Sequence, residues 1–193
     1  MKRLIYILFA LVVFGCSKTD PLSMQQTGYF IKFYGGSLSD EGHDIRQTND
    51  GGYIILGSTT SEDEDLDIML IKTDKYGNPE WQKTFGDTLN DEGYSIQLTS
   101  DNGYIILGSY AHSLINSDMY LIKTDAGGEI IWENKIGGEY FEEGLCVRET
   151  NDGGYILVGS TNEENIWNGN PQGEKDIFLV KTNATGDSIW SKS

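Results

Sequence analysis

The heptapeptide Gly52-Tyr53-Ile54-Ile55-Leu56-Gly57-Ser58 occurs three times, twice identically and once with two changes, in this chain of 193 residues. It returns as GYIILGS at 103–109 and as GYILVGS at 154–160, so successive copies are 51 residues apart. Self-similarity at a fixed period of about this size is the sequence signature of a repeat architecture. The chain therefore divides into three repeats, at about residues 36–86, 87–137 and 138–193.

Each repeat carries four short runs of strand-forming residues. In the first repeat these runs are 43–48, 52–59, 67–74 and 79–85. They are rich in Ile, Tyr, Thr and Leu and are bounded by Gly, Asp and Asn, which is typical of strands and turns. The second and third runs are apolar on both faces, so each repeat needs a neighbour on either side. We predict an all-β fold built from four-stranded antiparallel units.

The end of each repeat carries a second pattern, D/N-x-x-G-x-x-x-W. It ends at Trp81, Trp132 and Trp190, with Asn183 in place of the Asp in the third copy. This pattern resembles the tryptophan-docking repeat of quinoprotein-like (PQQ-like) β-propellers. The wider repeat looks like that of uncharacterised propeller-type lipoproteins of Bacteroidetes-like bacteria. The resemblance implies that each unit is a propeller blade and that the three tryptophans are structural residues that dock one blade on the next.

One further copy of the fourth run precedes the first repeat. Phe30 lies 51 residues before Trp81, so 29–34 is predicted to form an extra N-terminal strand. Three blades plus one strand make an incomplete or open propeller, because ordinary propellers have at least about four blades. Its open edge would expose an apolar face. We expect a homo-oligomer that completes the ring or a truncated propeller, with a stack that never closes as the remaining alternative.

The N-terminus predicts the location of the protein. Residues 1–15 combine a basic start, an apolar run and a small residue, as in a secretory signal peptide. The sequence around Cys16 resembles a bacterial lipobox, which implies that Cys16 is the lipidated first residue of the mature protein. Residues 16–27 then form a flexible tether and residues 28–193 the repeat domain. We expect an outer-membrane lipoprotein facing the periplasm or the surface; a plain signal peptide or an uncleaved anchor is the alternative.

Composition and motifs narrow the function classes. The chain has 30 acidic and 14 basic residues, a net charge of −16, which argues against nucleic-acid binding. The acidic run Glu62-Asp63-Glu64-Asp65 lacks the regular spacing of a calcium loop, so we expect no metal site. The sequence has no nucleophile elbow, zinc-type cluster or phosphate loop. We expect no catalytic residue and no cofactor.

A unique feature is a better candidate for function than a repeated one. The third repeat is longer than the others within 162–175, where an inserted polar loop carries Trp167, Asn168 and Asn170. We predict that this loop contacts a protein or a glycan. The leading interpretation is a membrane-anchored envelope lipoprotein with a binding or scaffolding module and no catalysis. The alternatives are a remnant or subunit of a quinoprotein-like dehydrogenase and a carbohydrate-binding surface lipoprotein.

Overall fold

The computed structural model describes residues 31–114, 116–139, 141–162 and 175–193, and all regular secondary structure in these ranges is β-strand. The strands are β1 (Asp40–Gln47), β2 (Tyr53–Thr60), β3 (Leu66–Thr73), β4 (Pro79–Phe85), β5 (Asp91–Leu98), β6 (Tyr104–Ser113), β7 (Asn116–Thr124), β8 (Ile130–Ile136), β9 (Phe141–Glu149), β10 (Tyr155–Asn162), β11 (Asp176–Thr182) and β12 (Ser188–Lys192). The all-β prediction is confirmed for this part of the chain. No helix in the same ranges is long and apolar enough to cross a membrane.

The strands form three antiparallel meanders, each paired in chain order. Meander 1 is β1–β4, meander 2 is β5–β8 and meander 3 is β9–β12. Meander 1 is a sheet of its own, whereas meanders 2 and 3 join into one eight-stranded sheet. The junction is a parallel contact between Ser117 and Phe141. The meanders follow the predicted repeats, but the repeat pattern contains no sign of this junction.

Alternation along the strands distributes the core to both faces of meander 2. Ile106 of β6 packs with residues of meander 1, whereas Ile105 and Leu107 of the same strand pack with meander 3. Successive side chains of a strand point to opposite faces, so a strand that is apolar throughout is buried twice. The two apolar clusters between the meanders are therefore the cores of the fold.

Tryptophans at equivalent positions lie between consecutive meanders. Trp81 lies beside Tyr104 of meander 2, with 6.3 Å between ring centroids, and Trp132 lies beside Tyr155 of meander 3 at 5.8 Å. A Cβ on Gly128, in the β7–β8 turn, would be 2.8 Å from the Trp81 ring, and this glycine has φ = +79°. Only glycine therefore suits this turn, both for its backbone angle and for the approach of the indole.

The recurring lysines at the ends of the third strands tie two parts of a meander together. Lys72 is buried, and its Nζ donates to Asp50 Oδ2 at 2.7 Å in the β1–β2 turn and to the Thr73 carbonyl at 3.0 Å. Lys123 and Lys181 make the corresponding contacts with the β5–β6 and β9–β10 turns. These contacts occupy the ammonium groups with protein acceptors, which is a structural role.

The predicted N-terminal strand is not observed in its described part. Residues 31–36 have no regular structure, and residues 28–30 lie outside the described ranges. The segment nevertheless contacts meander 1, where Lys32 donates to Asn78 Oδ1 at 3.1 Å and Tyr34 to the Gly77 carbonyl at 2.9 Å. These contacts lie at the same β3–β4 turn that would receive the last strand of a preceding unit.

Candidate functional site

A β-bulge interrupts the first strand of every meander. The register shifts at Gly42/Asp44 in β1, at Gly93/Ser95 in β5 and opposite Val158/Gly159 in β9. The extra residues at these bulges are His43, Tyr94 and Leu145. A bulge re-aims a side chain and is often found beside functional sites. This position therefore combines a repeated backbone feature with three different side chains.

A cleft of about 770 Å³ lies beside Tyr94, at the end of the sheets where β2, β6 and β10 finish. Its volume is in the range of ordinary small-molecule sites. We call it the bulge cleft. Its described lining consists of Asp63, Glu64, Asp65, Thr88, Leu89, Asn90, Glu92, Tyr94, Ser109, Ala111, Ser113, Leu114, Ser117, Phe141, Glu143, Ser160, Asn162 and Lys175. Residues of all three meanders contribute to this wall.

Tyr94 is held between two carboxylates in the bulge cleft. Its hydroxyl donates to Glu92 Oε2 at 2.9 Å, and its ring packs edge-to-face on His43 with 5.5 Å between centroids. Burial, followed by the charges of Glu92 and Glu143, raises the pKa of Tyr94 far above its ordinary range. Tyr94 therefore remains a neutral hydrogen-bond donor at any physiological pH.

Glu143 connects the carboxylate pair to the entry of the long loop. Lys175 Nζ lies 3.0 Å from Glu143 Oε2, and the Ser160 hydroxyl donates to the same oxygen at 3.4 Å. Lys175 and the side chain of Asn162 flank the segment 163–174 on either side and both line the cleft. The charge of Glu143 is thus partly compensated by Lys175. Among the described residues, the Glu92 carboxylate receives a hydrogen bond only from the Tyr94 hydroxyl.

Two oxygens beside the cleft are buried without a hydrogen-bond partner among the described residues. They are Asn162 Oδ1 and Ser109 Oγ, and Asn162 as a whole is 8% exposed. A buried polar atom without a partner costs roughly 1–3 kcal/mol, so such atoms are rare in native proteins. Both side chains line the bulge cleft. A polar molecule in the cleft reaches these oxygens only if the side chains turn toward it, because neither atom is exposed to solvent.

The acidic run of the β2–β3 loop forms one side of the cleft in a fixed conformation. Ser61 accepts the backbone N–H of Asp63 at 3.1 Å and donates through its hydroxyl to Asp65. Asn90 Oδ1 accepts the backbone N–H of Leu66 at 3.0 Å, which links this loop to the β4–β5 connection. No group of three or more His, Cys, Asp or Glu in the described ranges is arranged to hold a metal ion.

The residues proposed from sequence have different positions relative to the cleft. Cys16 and the loop residues Trp167, Asn168 and Asn170 lie outside the described ranges. Trp81 and Trp132 lie between meanders, as described above, and Trp190 is 42% exposed on the last strand. The cleft does not include any of these described tryptophans.

Sequence reasoning missed Glu92, Tyr94 and Glu143. The two glutamates belong to the repeated Asp/Glu-Glu-Gly motif, which repetition alone marks as structural. A usable signal was nevertheless present directly after the Gly, where His43, Tyr94 and Leu145 differ, as do Asp44, Ser95 and Cys146 at the next position. Variation at fixed points of a repeat indicates positions that packing does not determine.

No protein-family model matches the chain, and no curated protein matches it. Among solved structures, the chain is similar to a thermostable family-43 glycoside hydrolase, with a TM-score of 0.49 and 13% sequence identity. The similarity covers 77% of this chain and 52% of that chain, so this chain spans about half the length of the hydrolase. A similarity of this size carries no argument about the activity of this chain.

Proposed function

We propose that this chain is a lipid-anchored protein of the bacterial cell envelope, facing the periplasm or the surface from the outer membrane, whose meanders are blades of a propeller-type binding module. We propose further that the module binds a neutral carbohydrate in the bulge cleft and catalyses no reaction. One observation carries this second proposal: the cleft is lined by Glu92 and by Asn162 and Ser109, whose side-chain oxygens have no hydrogen-bond partner among the described residues. These acceptors favour a ligand with several hydrogen-bond donors.

Sugar hydroxyls suit this cleft because each one can donate and accept. They can donate to Glu92 and to Asn162 Oδ1, and accept from the ammonium group of Lys175. The apolar face of a sugar ring can pack against Phe141 and Leu114, which also line the cleft. Binding sites commonly combine such apolar contacts with a few polar groups that fix orientation. A hydroxyl-rich neutral ligand therefore uses both kinds of lining residue.

Charge excludes anionic ligands from this proposal. The described lining includes five acidic residues (Asp63, Glu64, Asp65, Glu92 and Glu143) and only Lys175 as a basic one. An anion would meet net repulsion in a cleft of this composition. The same charge repulsion disfavours the alternative that the chain belongs to a dehydrogenase with an anionic quinone cofactor. Quinone absorbance in a stoichiometric amount in the purified protein would contradict our proposal and support that alternative.

Glycan binding by the full chain in mild detergent tests the proposed function. We would screen a glycan array and then measure the affinity of the best ligand by titration calorimetry. Asn162→Ala removes the buried acceptor, and Tyr94→Phe removes the hydroxyl that orients Glu92 while it keeps the ring. We expect each variant to bind about tenfold more weakly, since a hydrogen bond of this kind contributes roughly 1–2 kcal/mol.

Tyr76→Phe is the matched control, because it makes the same chemical change in the exposed β3–β4 turn, away from the cleft. Its affinity should equal that of the unchanged protein. Equal binding by Tyr94→Phe, Asn162→Ala and the control would remove the cleft as the binding site. Release of reducing sugar from the bound glycan would contradict the absence of catalysis.

The lipid anchor is tested separately by the variant Cys16→Ala. We expect the unchanged protein in the detergent-soluble membrane fraction and the variant released from it, because one thioether-linked lipid group at Cys16 is the proposed attachment. Metabolic labelling with a fatty-acid analogue reports the modification directly. Labelling that persists in Cys16→Ala would show that another residue carries the lipid.

A further inference from the structure

The side of meander 3 that faces away from meander 2 is apolar and incompletely covered. Tyr155, Leu157 and Val180 pack into the core with meander 2, so the alternate residues of β10 and β11 point to the opposite side. Those residues are Ile156, Val158, Ile177 and Leu179, and together with Trp190 we call them the outer face. Ile177 is 75% and Trp190 42% exposed, and the other three are half-buried. Contiguous apolar surface of this kind marks an interaction site.

The other two meanders show what this surface fits. The equivalent residues, Ile54, Leu56, Ile68 and Leu70 in meander 1 and Ile105, Leu107, Met119 and Leu121 in meander 2, are all fully buried. In both cases the covering surface is the front of the next meander, which brings a Tyr, an aliphatic residue and a turn glycine against it. The chain thus contains two examples of an interface made by residues equivalent to those of the outer face.

The matching surface is the front of meander 1. Ile45, Tyr53, Ile55 and Gly77 occupy the positions at which Ile96, Tyr104, Ile106 and Gly128 of meander 2 meet meander 1. Ile45 is 52% exposed, whereas Ile96 is fully buried under meander 1. We propose that the outer face of meander 3 docks on the front of meander 1 in a second copy of this chain, with Trp190 against the β3–β4 turn of that copy.

We expect this contact to close into a ring of two copies. The contact joins different surfaces of the two chains, so it produces either a ring or an open filament. Resting on the proposal that the meanders are blades, the three described meanders of two copies contribute six blades, which is within the usual range of about four to eight. Three copies would contribute nine, which is outside it. We therefore expect a dimer with two identical interfaces.

Residues 31–34 contact the β3–β4 turn of their own chain, so they compete with the second copy for this surface. In meander 1, Lys83 lies two residues after Trp81 and contacts Glu129, one residue after Gly128. The corresponding contact in the dimer joins Lys192, two residues after Trp190, to Asn78 of the second copy. Lys32 holds Asn78 in the single chain. Tyr34 also donates to the Gly77 carbonyl of this turn at 2.9 Å, so β12 of the second copy has to displace both side-chain contacts.

The mass of the full chain in mild detergent, measured by sedimentation over a range of concentrations, tests the proposal. We expect a dimer that dissociates on dilution. Ile177→Asp should weaken the dimer by at least about 100-fold, because docking would bury a carboxylate without a partner. The control is Ile131→Asp, since Ile131 is exposed and its equivalent in meander 1 is the charged Glu80. The control should dimerise like the unchanged protein.

A mixing experiment establishes which surfaces meet. Ile45→Asp blocks the front of meander 1 and Ile177→Asp blocks the outer face, so each variant alone should be monomeric. Mixed in equal amounts they should form a dimer through the one intact pair of surfaces. Dimerisation of Ile45→Asp alone would show that two outer faces pack together and would overturn the proposal.

If the unchanged chain is a monomer at all concentrations, the proposal is overturned. Coverage of the outer face by a further blade of the same chain would give that result. Thermal unfolding of each variant confirms that it is folded. Glycan binding measured on the same samples distinguishes this proposal from the proposed function. A monomer that binds the glycan would contradict only the dimer. A dimer that does not bind it would contradict only the carbohydrate site.

Discussion

Trp132 and Trp190 hold the same position in consecutive repeats, yet their surroundings differ. Trp132 lies 5.8 Å from Tyr155 and close over Gly186 of the next meander. Trp190 has no following meander among the described residues and is 42% exposed. The residue type comes from the repeat, whereas its energetic contribution depends on the surface it meets. The difference shows that a repeated residue stabilises the fold only where the neighbouring unit is present.

The largest expected effect comes from removing a covered indole. Trp132→Ala should lower the free energy of unfolding by about 3 kcal/mol, because it removes the contacts with Tyr155 and Gly186 and leaves a cavity. Trp190→Ala should cost less than about 1 kcal/mol under conditions where the chain is monomeric. Urea unfolding followed by tryptophan fluorescence and circular dichroism measures both. Equal losses for the two variants would contradict the comparison.

The glycine under the indole sharpens the same comparison. Gly128→Ala places a Cβ 2.8 Å from the Trp81 ring in a residue with φ = +79°, and should cost about 2 kcal/mol through clash and backbone strain. Gly153→Ala has nearly the same φ, +80°, but its Cβ would meet nothing within 4 Å. Gly153→Ala therefore measures the cost of the positive φ alone, which we expect to lower the free energy of unfolding by about 1 kcal/mol. Thermal unfolding of both variants gives the contribution of the indole contact by difference.

The free energy of unfolding should also depend on pH through a buried carboxyl group between meanders 1 and 2. Asp91 is fully buried between meanders 1 and 2, and burial raises its pKa to about 6. Hydrogen bonds from the Asp87 and Ala111 N–H groups oppose this shift. The negative charges of Asp87 and Asp67 add to it. The folded state therefore binds a proton that the unfolded state releases at about pH 4. The free energy of unfolding should fall by about 2 kcal/mol as the pH rises from about 4 to 6.

Asp91→Asn should flatten this slope, which urea unfolding at a series of pH values measures. Asp176→Asn is the control, because Asp176 is the exposed equivalent of Asp67 and has no following meander among the described residues. It should leave the slope unchanged. A slope that survives in Asp91→Asn would show that another group at the junction titrates.

The smallest effect is expected for a tie that lies within one meander. Burial works to raise the pKa of Asp101, but the hydrogen bonds from Lys123, Thr99 and the Gly103 N–H outweigh it and bring the pKa to about 2. The stabilisation is therefore present above about pH 4 and is lost as the pH falls through about 2. Lys123→Met should cost about 1 kcal/mol at pH 7, discounted for the exposure of Asp101, and only a small part of that at pH 2, where the carboxyl is half protonated.

Lys75→Met is the control for this tie, because Lys75 is exposed in the β3–β4 turn. Urea unfolding at both pH values should show no difference between it and the unchanged protein. A loss in Lys123→Met that is as large at pH 2 as at pH 7 would assign the effect to packing of the lysine stem and not to its charge.

Much of the fold was predictable because local chemistry repeats. Gly52–Ser58 and its copies predict strand pairs, and the β-rich repeat-like structure agrees with that prediction. The bulges were not predictable, since nothing in the Asp40-Glu41-Gly42 motif distinguishes a continuous strand from one with an extra residue. The parallel contact between Ser117 and Phe141 was equally invisible, because it depends on how two meanders lie together.

The candidate site was less accessible than the fold. Tyr94 lies in a variable position, but its relation to Glu143, 49 residues further along the chain, exists only once β5 and β9 are neighbours. The loop with Trp167 attracted attention from sequence because of its length. The described residues at its two ends, Asn162 and Lys175, connect that prediction to the bulge cleft.

By itself, the sequence determined the strands, their order and the double-sided apolar pattern, because strand propensity, turn chemistry and alternation act between residues that are near in the chain. Only the tertiary structure decided which of the equivalent apolar faces are covered and which carboxylates surround Tyr94. Those outcomes depend on distances between residues about one repeat apart. Identical residues such as Trp132 and Trp190 therefore differ in exposure for a reason that their own sequence does not contain.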